Sequence, residues 1–133
     1  MSGMFGAMDA AASGVTLGRT WMDVISDNVA NVNTVRAAGE EPFRASLVIA
    51  SSRPGTDGVS VAGFREQGGA PDVVYDPENP LADSAGYVTR PKVDLTEEMT
   101  NMLMAQRLYQ ANLSVMQQAR DSYAQALRIG TGG

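Results

Sequence analysis

Histidine and cysteine are both missing from this sequence, and lysine occurs once, as Lys92. Without histidine, the commonest general base and the commonest metal ligand are lost together. Without cysteine there is no disulfide framework and no thiolate metal site, and redox chemistry gives no guide to the compartment. Positive charge is also scarce. Ten Lys and Arg stand against 15 Asp and Glu, a net charge of -5, so nucleic acid is not an expected partner, because its binding rests largely on basic residues. No apolar run approaches the roughly 20 residues of a membrane span, so no direct membrane insertion is expected. The first basic residue is Arg19, and Asp9 stands where a secretory leader would need positive charge. The protein is therefore expected to be soluble, or exported by a route that does not read a cleaved leader.

Catalytic motifs are missing in the same way. No Gly-x-x-x-x-Gly-Lys-Ser/Thr phosphate loop occurs. A serine nucleophile without histidine would need lysine, and Lys92 has no supporting local motif. Asp72, Asp76, Glu78 and Asp83 lack the alternating ligands and central glycine of a calcium loop and read as solvated turn carboxylates. Glu97 and Glu98 are adjacent and point about 100° apart on a helix, which suits helix-end charge compensation better than paired acid-base work. Asn112-Leu113-Ser114 matches a glycosylation acceptor but lies inside a helical seam, where a glycan would obstruct packing. No catalytic, cofactor-binding or metal site is assigned, no cofactor is expected, and the chain does not read as an enzyme.

What the sequence does contain is periodicity. From Asp94 to Ile129, the residues Met99, Met102, Tyr109, Leu113, Met116, Tyr123 and Leu127 recur at three- and four-residue steps, with Gln106 and Arg120 filling two places in the series. Pro91, Asp94 as N-cap and Glu97 mark the start of this helix, and Arg128 and Gly130 mark its end. Such a helix would be about 54 Å long and needs a partner. Residues 4 to 32 carry a second heptad series: Met4, Met8, Ala11, Val15, Gly18, Met22, Ile25, Val29 and Val32. It is made of Met and small residues, and its glycines each cost about 1 kcal/mol relative to Ala, so alone it would be marginal. The first dozen residues are either an amphipathic core helix or a segment that orders only against other chains. Trp21 lies one place off this seam, as an interfacial anchor or a flanking contact. The methionines supply adaptable packing surface, suited to plain core filling or to several slightly different neighbours.

The asparagine-rich run from Asn28 to Thr34 should end the first helix. Residues 35–91 are broken by Gly and Pro into brief strands over Phe43 to Ala50, Val59 to Arg65, Val73 to Tyr75 and Tyr87 to Thr89, the first two joined by a hairpin turn over 53–58. The expected fold is mostly α with a small β insert, an α+β chain. Residues 1–34 and 92–133 pair as an antiparallel-type coiled coil, and 35–91 form the β insert of short hairpins lying against it.

Specific segments carry a resemblance. The N-terminal helix followed by Asp27-Asn28-Val29-Ala30-Asn31-Val32-Asn33-Thr34 resembles the signature of the bacterial flagellar rod, hook and hook-filament axial proteins. Asn79-Pro80-Leu81-Ala82-Asp83-Ser84-Ala85-Gly86-Tyr87-Val88, then Glu98-Met99 and Arg107-Leu108-Tyr109-Gln110-Ala111-Asn112, resemble proximal-rod members of that family. The likeness covers essentially the whole chain. It implies a structural subunit of the basal-body rod, exported by the flagellar type III apparatus and located where the rod crosses the cell envelope. It also implies torque transmission by helical self- and hetero-assembly, with other rod proteins and the basal-body ring or export-gate adaptor as partners. By this resemblance Asn28, Asn31, Asn33, Thr34, Gly86, Tyr87, Tyr109 and Asn112 are helix-end and packing determinants. Met8, Val15, Met22, Ile25, Val29, Met99, Met102, Tyr109, Leu113, Met116, Tyr123 and Leu127 are the candidate assembly positions. Phe43 precedes Arg44 where the family often has tyrosine. The alternative is a small secreted helical-hairpin protein of a mycobacterial-type export system, but Trp21-Met22-Asp23 does not supply the Trp-x-Gly turn of that class.

Overall fold

The heptad spacing at the two chain ends folds into two long helices, α1 (Gly3–Ala30) and α2 (Leu95–Thr131), in a computed structural model that describes residues 3–132. They run antiparallel. Phe5 meets Tyr123 with ring centroids 5.4 Å apart, Gly14 lies under Asn112, Gly18 under Tyr109, and Asn28 bonds Glu98. Asp94 caps α2, its Oδ1 accepting from the N–H groups of Thr96 and Glu97 at 2.9 and 3.1 Å. The helix continues one residue past Gly130 to Thr131, because Gly130 does not adopt the left-handed conformation of a terminator and Thr131 Oγ1 bonds back to the Leu127 carbonyl. Despite its glycines, α1 is helical from Gly3 and ends within the asparagine run, where Asn31 donates from both its backbone and its side chain to the Asp27 carbonyl.

The seam differs from the sequence expectation in one of its two rows on each helix. Along α2, Glu98, Met102, Ala105, Tyr109, Asn112, Met116 and Ala119 are buried or half-buried at alternating four- and three-residue steps. Met102, Tyr109, Met116 and Tyr123 are the expected row. In the other row Met99 and Leu127 are exposed while Glu98, Ala105 and Ala119 one place over are buried or half-buried, and Leu113 shares half-burial with its neighbour Asn112. Along α1, Ala11, Gly18 and Ile25 are buried as expected, but Gly14 and Asn28 take the places expected for Val15 and Val29. The cause is physical. Small and polar residues let the helix axes approach closely, whereas the more apolar neighbour one place on lies at the edge of the contact.

The Gly14-x-x-x-Gly18 pair sets that approach. A Cβ at Gly18 would come within 3.1 Å of the Tyr109 Cβ and 3.2 Å of its backbone, and one at Gly14 would fall 2.5 Å from Asn112 Cγ. Only glycine gives the facing helix this room, the soluble counterpart of small-residue packing between membrane helices.

Between the helices lie five strands: β1 (Arg36–Ala37), β2 (Ser46–Ser52), β3 (Val59–Glu66), β4 (Asp72–Tyr75) and β5 (Tyr87–Arg90). The first, two residues long, is a strand the sequence did not suggest, and it pairs with β5, which also pairs with β4. The hairpin β2–β3 closes through its 53–58 turn, and its register shifts at Ile49/Ala50, leaving Ala62 as the extra residue of a bulge. β2 starts at Ser46, later than Phe43, after the chain has passed Pro42. The hairpin lies along α1, with its open end at Asn28 and its turn end at Ser13 and Asp9.

Substituting Gly18 by Val should cost about 1–3 kcal/mol through overpacking, despite the higher helix propensity of valine, whereas Gly3→Ala, with open space around its Cβ, should be neutral or stabilising. Urea denaturation followed by circular dichroism measures both, and a stabilised Gly18→Val variant would contradict the close-packed seam.

Candidate assembly surface and its polar lock

Asn28 is 1% exposed and its side-chain amide is used three times. Its Oδ1 accepts from the Ser46 N–H at 2.8 Å, and its Nδ2 donates to the Ser46 carbonyl at 3.0 Å and to Glu98 Oε2 at 3.2 Å. The amide thus pairs with Ser46 as a neighbouring strand would and uses its remaining hydrogen to hold α2. Glu98 is itself 5% exposed. Burial raises its carboxyl above the usual carboxylate range, the Asn28 bond partly offsets this, and the neighbouring Glu97 charge adds to it. The sequence reading treated Glu98 as a helix-end charge and missed this role, because the contact joins residues 70 apart.

A second polar tie fixes the other end of the hairpin. Ser13 Oγ, on a side chain 4% exposed, accepts from the Val59 N–H at 3.0 Å and donates to the Ala10 carbonyl at 2.6 Å. Arg53 Nη1 bonds Asp9 Oδ2 at 2.8 Å nearby. The loop before β5 is held by its own side chains. Asp83 Oδ1 accepts from the Ala85 and Tyr87 N–H groups, both at 2.9 Å, and Asn79 accepts from Leu81 while donating to Asp76. Asn79 and Asp83 thus form Asx turns, and Asp76 is occupied as the acceptor of the Asn79 amide. Among the described residues no group of three or more carboxylates is placed to hold a metal ion.

The family-motif residues fall at these joints. Asn31 Oδ1 accepts from Thr34 Oγ1 at 3.1 Å beyond the end of α1, and Asn33 is exposed. Gly86 has φ +87°, and a Cβ there would lie 2.7 Å from the Tyr75 ring, which packs edge-on against Tyr87 at 5.3 Å. Asn112 folds its amide back to the Leu108 carbonyl at 2.8 Å and so lies flat over Gly14.

The candidate assembly positions divide. Ile25 is buried, while Met8, Val15, Met22, Val29, Met102, Tyr109, Leu113 and Met116 are half-buried. Met99, Tyr123 and Leu127 are exposed. The structure adds others that the heptad reading left out. Leu95, Leu103, Met104, Val115 and Ile129 are exposed on α2, as are Phe64 on β3 and Val73 and Tyr75 on β4. Against 15 exposed large apolar side chains, the buried apolar set is Ala11, Ile25, Ala45, Val88 and Ala105. Of the large apolar side chains described, only Ile25 and Val88 are fully buried, 15 are exposed and the others are half-buried. Among the described residues no helix is long and apolar enough to cross a membrane.

Comparison with known proteins agrees along the chain. A family described as "Flagella basal body rod protein" matches residues 8–37, and one described as "Flagellar basal body rod FlgEFG protein C-terminal" matches residues 84–129. The flagellar basal-body rod protein FlgC of Escherichia coli O157:H7 is 37% identical over 126 residues, covering 92% of this chain and 94% of the relative. The proteins of the same name from Bacillus subtilis strain 168 and Borreliella burgdorferi strain B31 are 33% and 32% identical. The alignments cover 95% and 98% of this chain and 97% and 99% of those relatives.

Removing the Asn28 amide should cost about 2–4 kcal/mol, because Asn28→Ala strands the Ser46 backbone and leaves Glu98 without its donor. Glu98→Gln keeps an acceptor and should behave differently. Because the folded carboxyl titrates above its ordinary value of 4.5, its contribution to stability is present in full below that value and is lost as pH rises through the raised one. The Gln variant should therefore gain on the parent from acid to neutral pH. Equal pH dependence of the two in denaturant titrations would remove the buried-carboxyl account.

Proposed function

The chain belongs to the flagellar basal-body rod protein family, and from that premise we propose how its parts serve the shaft. It is a structural subunit of the bacterial flagellar basal-body rod. In the proposed arrangement, residues 1–34 and 92–133 form the axial unit and 35–91 form the β insert that braces it. The subunit sits in the proximal rod and transmits torque towards the hook through self- and hetero-assembly in a helical tube. Its neighbours are other rod proteins and the ring or export-gate adaptor at the rod base, and it reaches them through the flagellar type III apparatus. Catalysis has no part in this role.

The observation that supports the reading is the excess of large apolar side chains outside the helix pair, eight of them on α2 alone. A subunit with so small a core gains most of its stability by burying that surface against neighbours. A heterologous interface that does not close on itself produces an open helical array, the geometry of a shaft. A mycobacterial-type helical-hairpin protein finds no support, since five strands stand between the helices where that class has a short turn.

Complementation tests the reading. In the source organism deleted for this gene, swimming and basal-body formation should be lost and should return with the intact chain. Leu103→Glu changes a side chain that is 60% exposed, so the free protein should keep its helicity and its stability to within about 0.5 kcal/mol. The same variant should fail to restore swimming, and full swimming would remove the proposed use of the outer face.

A further inference from the structure

The hairpin β2–β3 meets α1 at its two ends and stands off it between them. Its base is built in. Ala45, just before β2, is 1% exposed, its carbonyl accepts from the Gln67 N–H at 2.7 Å, and the N–H and carbonyl of Ser46 both bond the buried Asn28 amide. The turn end has lighter ties. Ser13 Oγ accepts from the Val59 N–H, and Arg53 bonds Asp9 through side chains that are 34% and 61% exposed. Among the described residues no other hydrogen bond joins α1 to the hairpin. In the middle the two surfaces part. Ser13, Thr16, Leu17, Thr20, Val61 and Phe64 line an opening of about 360 Å³. Phe64 is 60% exposed there, and Thr16 turns its hydroxyl back to the Ala12 carbonyl at 3.1 Å instead of reaching across.

We propose that the hairpin is a hinged arm, which turns as one body about the Asn28–Ser46 joint when the Asp9–Arg53 and Ser13–Val59 contacts open as a latch. The unequal anchoring of its ends carries this. Opening at the base would strand the buried Asn28 amide, both Ser46 backbone groups and Glu98 without partners. Opening at the turn returns an exposed ion pair to water, where such pairs contribute little. Ser13 keeps the Ala10 carbonyl as its acceptor after release, so no buried donor is orphaned. The bonds between β2 and β3 are internal to the arm and survive the movement. Gly14 and Gly18 face α2 from another side of α1, so the helix seam takes no part. The subunit can therefore change the angle of its arm without changing the register of its helices, as hinges at element ends do in other proteins.

Amide exchange of the intact chain, followed residue by residue by NMR, separates the two joints. Relative to free-peptide rates, the Val59 N–H should exchange on the order of tenfold faster than the Ser46 N–H, while the amides bonded across β2–β3 stay slower than Val59. Raising salt from about 0.05 to about 0.5 M should speed Val59 about two- to fivefold by screening the exposed ion pair, and should leave Ser46 unchanged. Asp9→Ala at low salt should speed Val59 to the same extent and abolish its response to salt, with circular dichroism confirming an intact fold. The absence of cysteine also permits paired spin labels at exposed positions. Ser60→Cys with Gln110→Cys should give a broad distance distribution that widens with Asp9→Ala, and Glu66→Cys with Gln110→Cys a narrow one that does not. A Val59 amide as protected as Ser46 would overturn the hinge. So would cross-strand amides that open together with Val59, exchange indifferent to salt and to Asp9→Ala, or equally narrow distributions for both label pairs.

Discussion

One side-chain amide holds three elements in register. Asn28 sits in the last turn of α1, Ser46 opens β2 and Glu98 lies in the first turn of α2, and the Asn28 amide reaches both partners. The geometry demands asparagine. Aspartate would lack the donors for the Ser46 carbonyl and Glu98, serine would be too short to span both groups of Ser46, and glutamine would set the amide one methylene further out. Since the bonds to Ser46 copy those of a β ladder, the helix and the hairpin are joined as closely as paired strands. Glu98 then fixes the rotation of α2 about its own axis, and with it which residues face α1 and which face out.

That rotation decides where the apolar side chains go. With Glu98, Ala105, Asn112 and Ala119 turned inward opposite Gly14 and Gly18, the two backbones approach closely and leave little space for large side chains between them. Met99, Leu103 and Leu95 are consequently displaced to the flank of α2, where they stay exposed. The inner seam gains specificity from shape and the outer faces keep the hydrophobic free energy unspent. An isolated subunit built this way is marginal, since a helix pair with so few buried apolar groups has little to set against the entropy of ordering two long segments.

Much of this was legible in the sequence, and each miss has its own physical cause. Heptad spacing located both helices, Asp94 marked the start of α2, and Gly and Pro punctuation bracketed four of the five strands. The two-residue β1 left no periodic signal, because two residues have no period. The seam was misjudged by one residue in one row because apolar character was taken as the mark of burial. The series contained a warning: Gln106 and Arg120 occupied places that a buried row would not give them, and shifting by one replaces them with Ala105 and Ala119. The spacing Gly14-x-x-x-Gly18 was a second sign of close approach, read only as a cost in helix propensity. The Asn28–Glu98 bond could not be found by spacing at all. It depends on how the chain returns over a separation of 70 residues, and neither residue type suggests burial.

Burying a carboxyl is a poor way to gain stability, since desolvation opposes whatever its hydrogen bond contributes, and here desolvation dominates. The lock is better understood as a device for orientation. An apolar pair in place of Asn28 and Glu98 would tolerate several rotations of α2, each presenting a different face to the outside. A polar pair tolerates one, because every other rotation leaves a buried amide or carboxyl without a partner. A rotation error would turn Met99, Leu103 and Met104 away from the outer face on which they lie exposed. The internal polar lock and the external apolar surface are therefore two parts of one solution, the first setting which side of α2 is turned outward and the second being the side so presented.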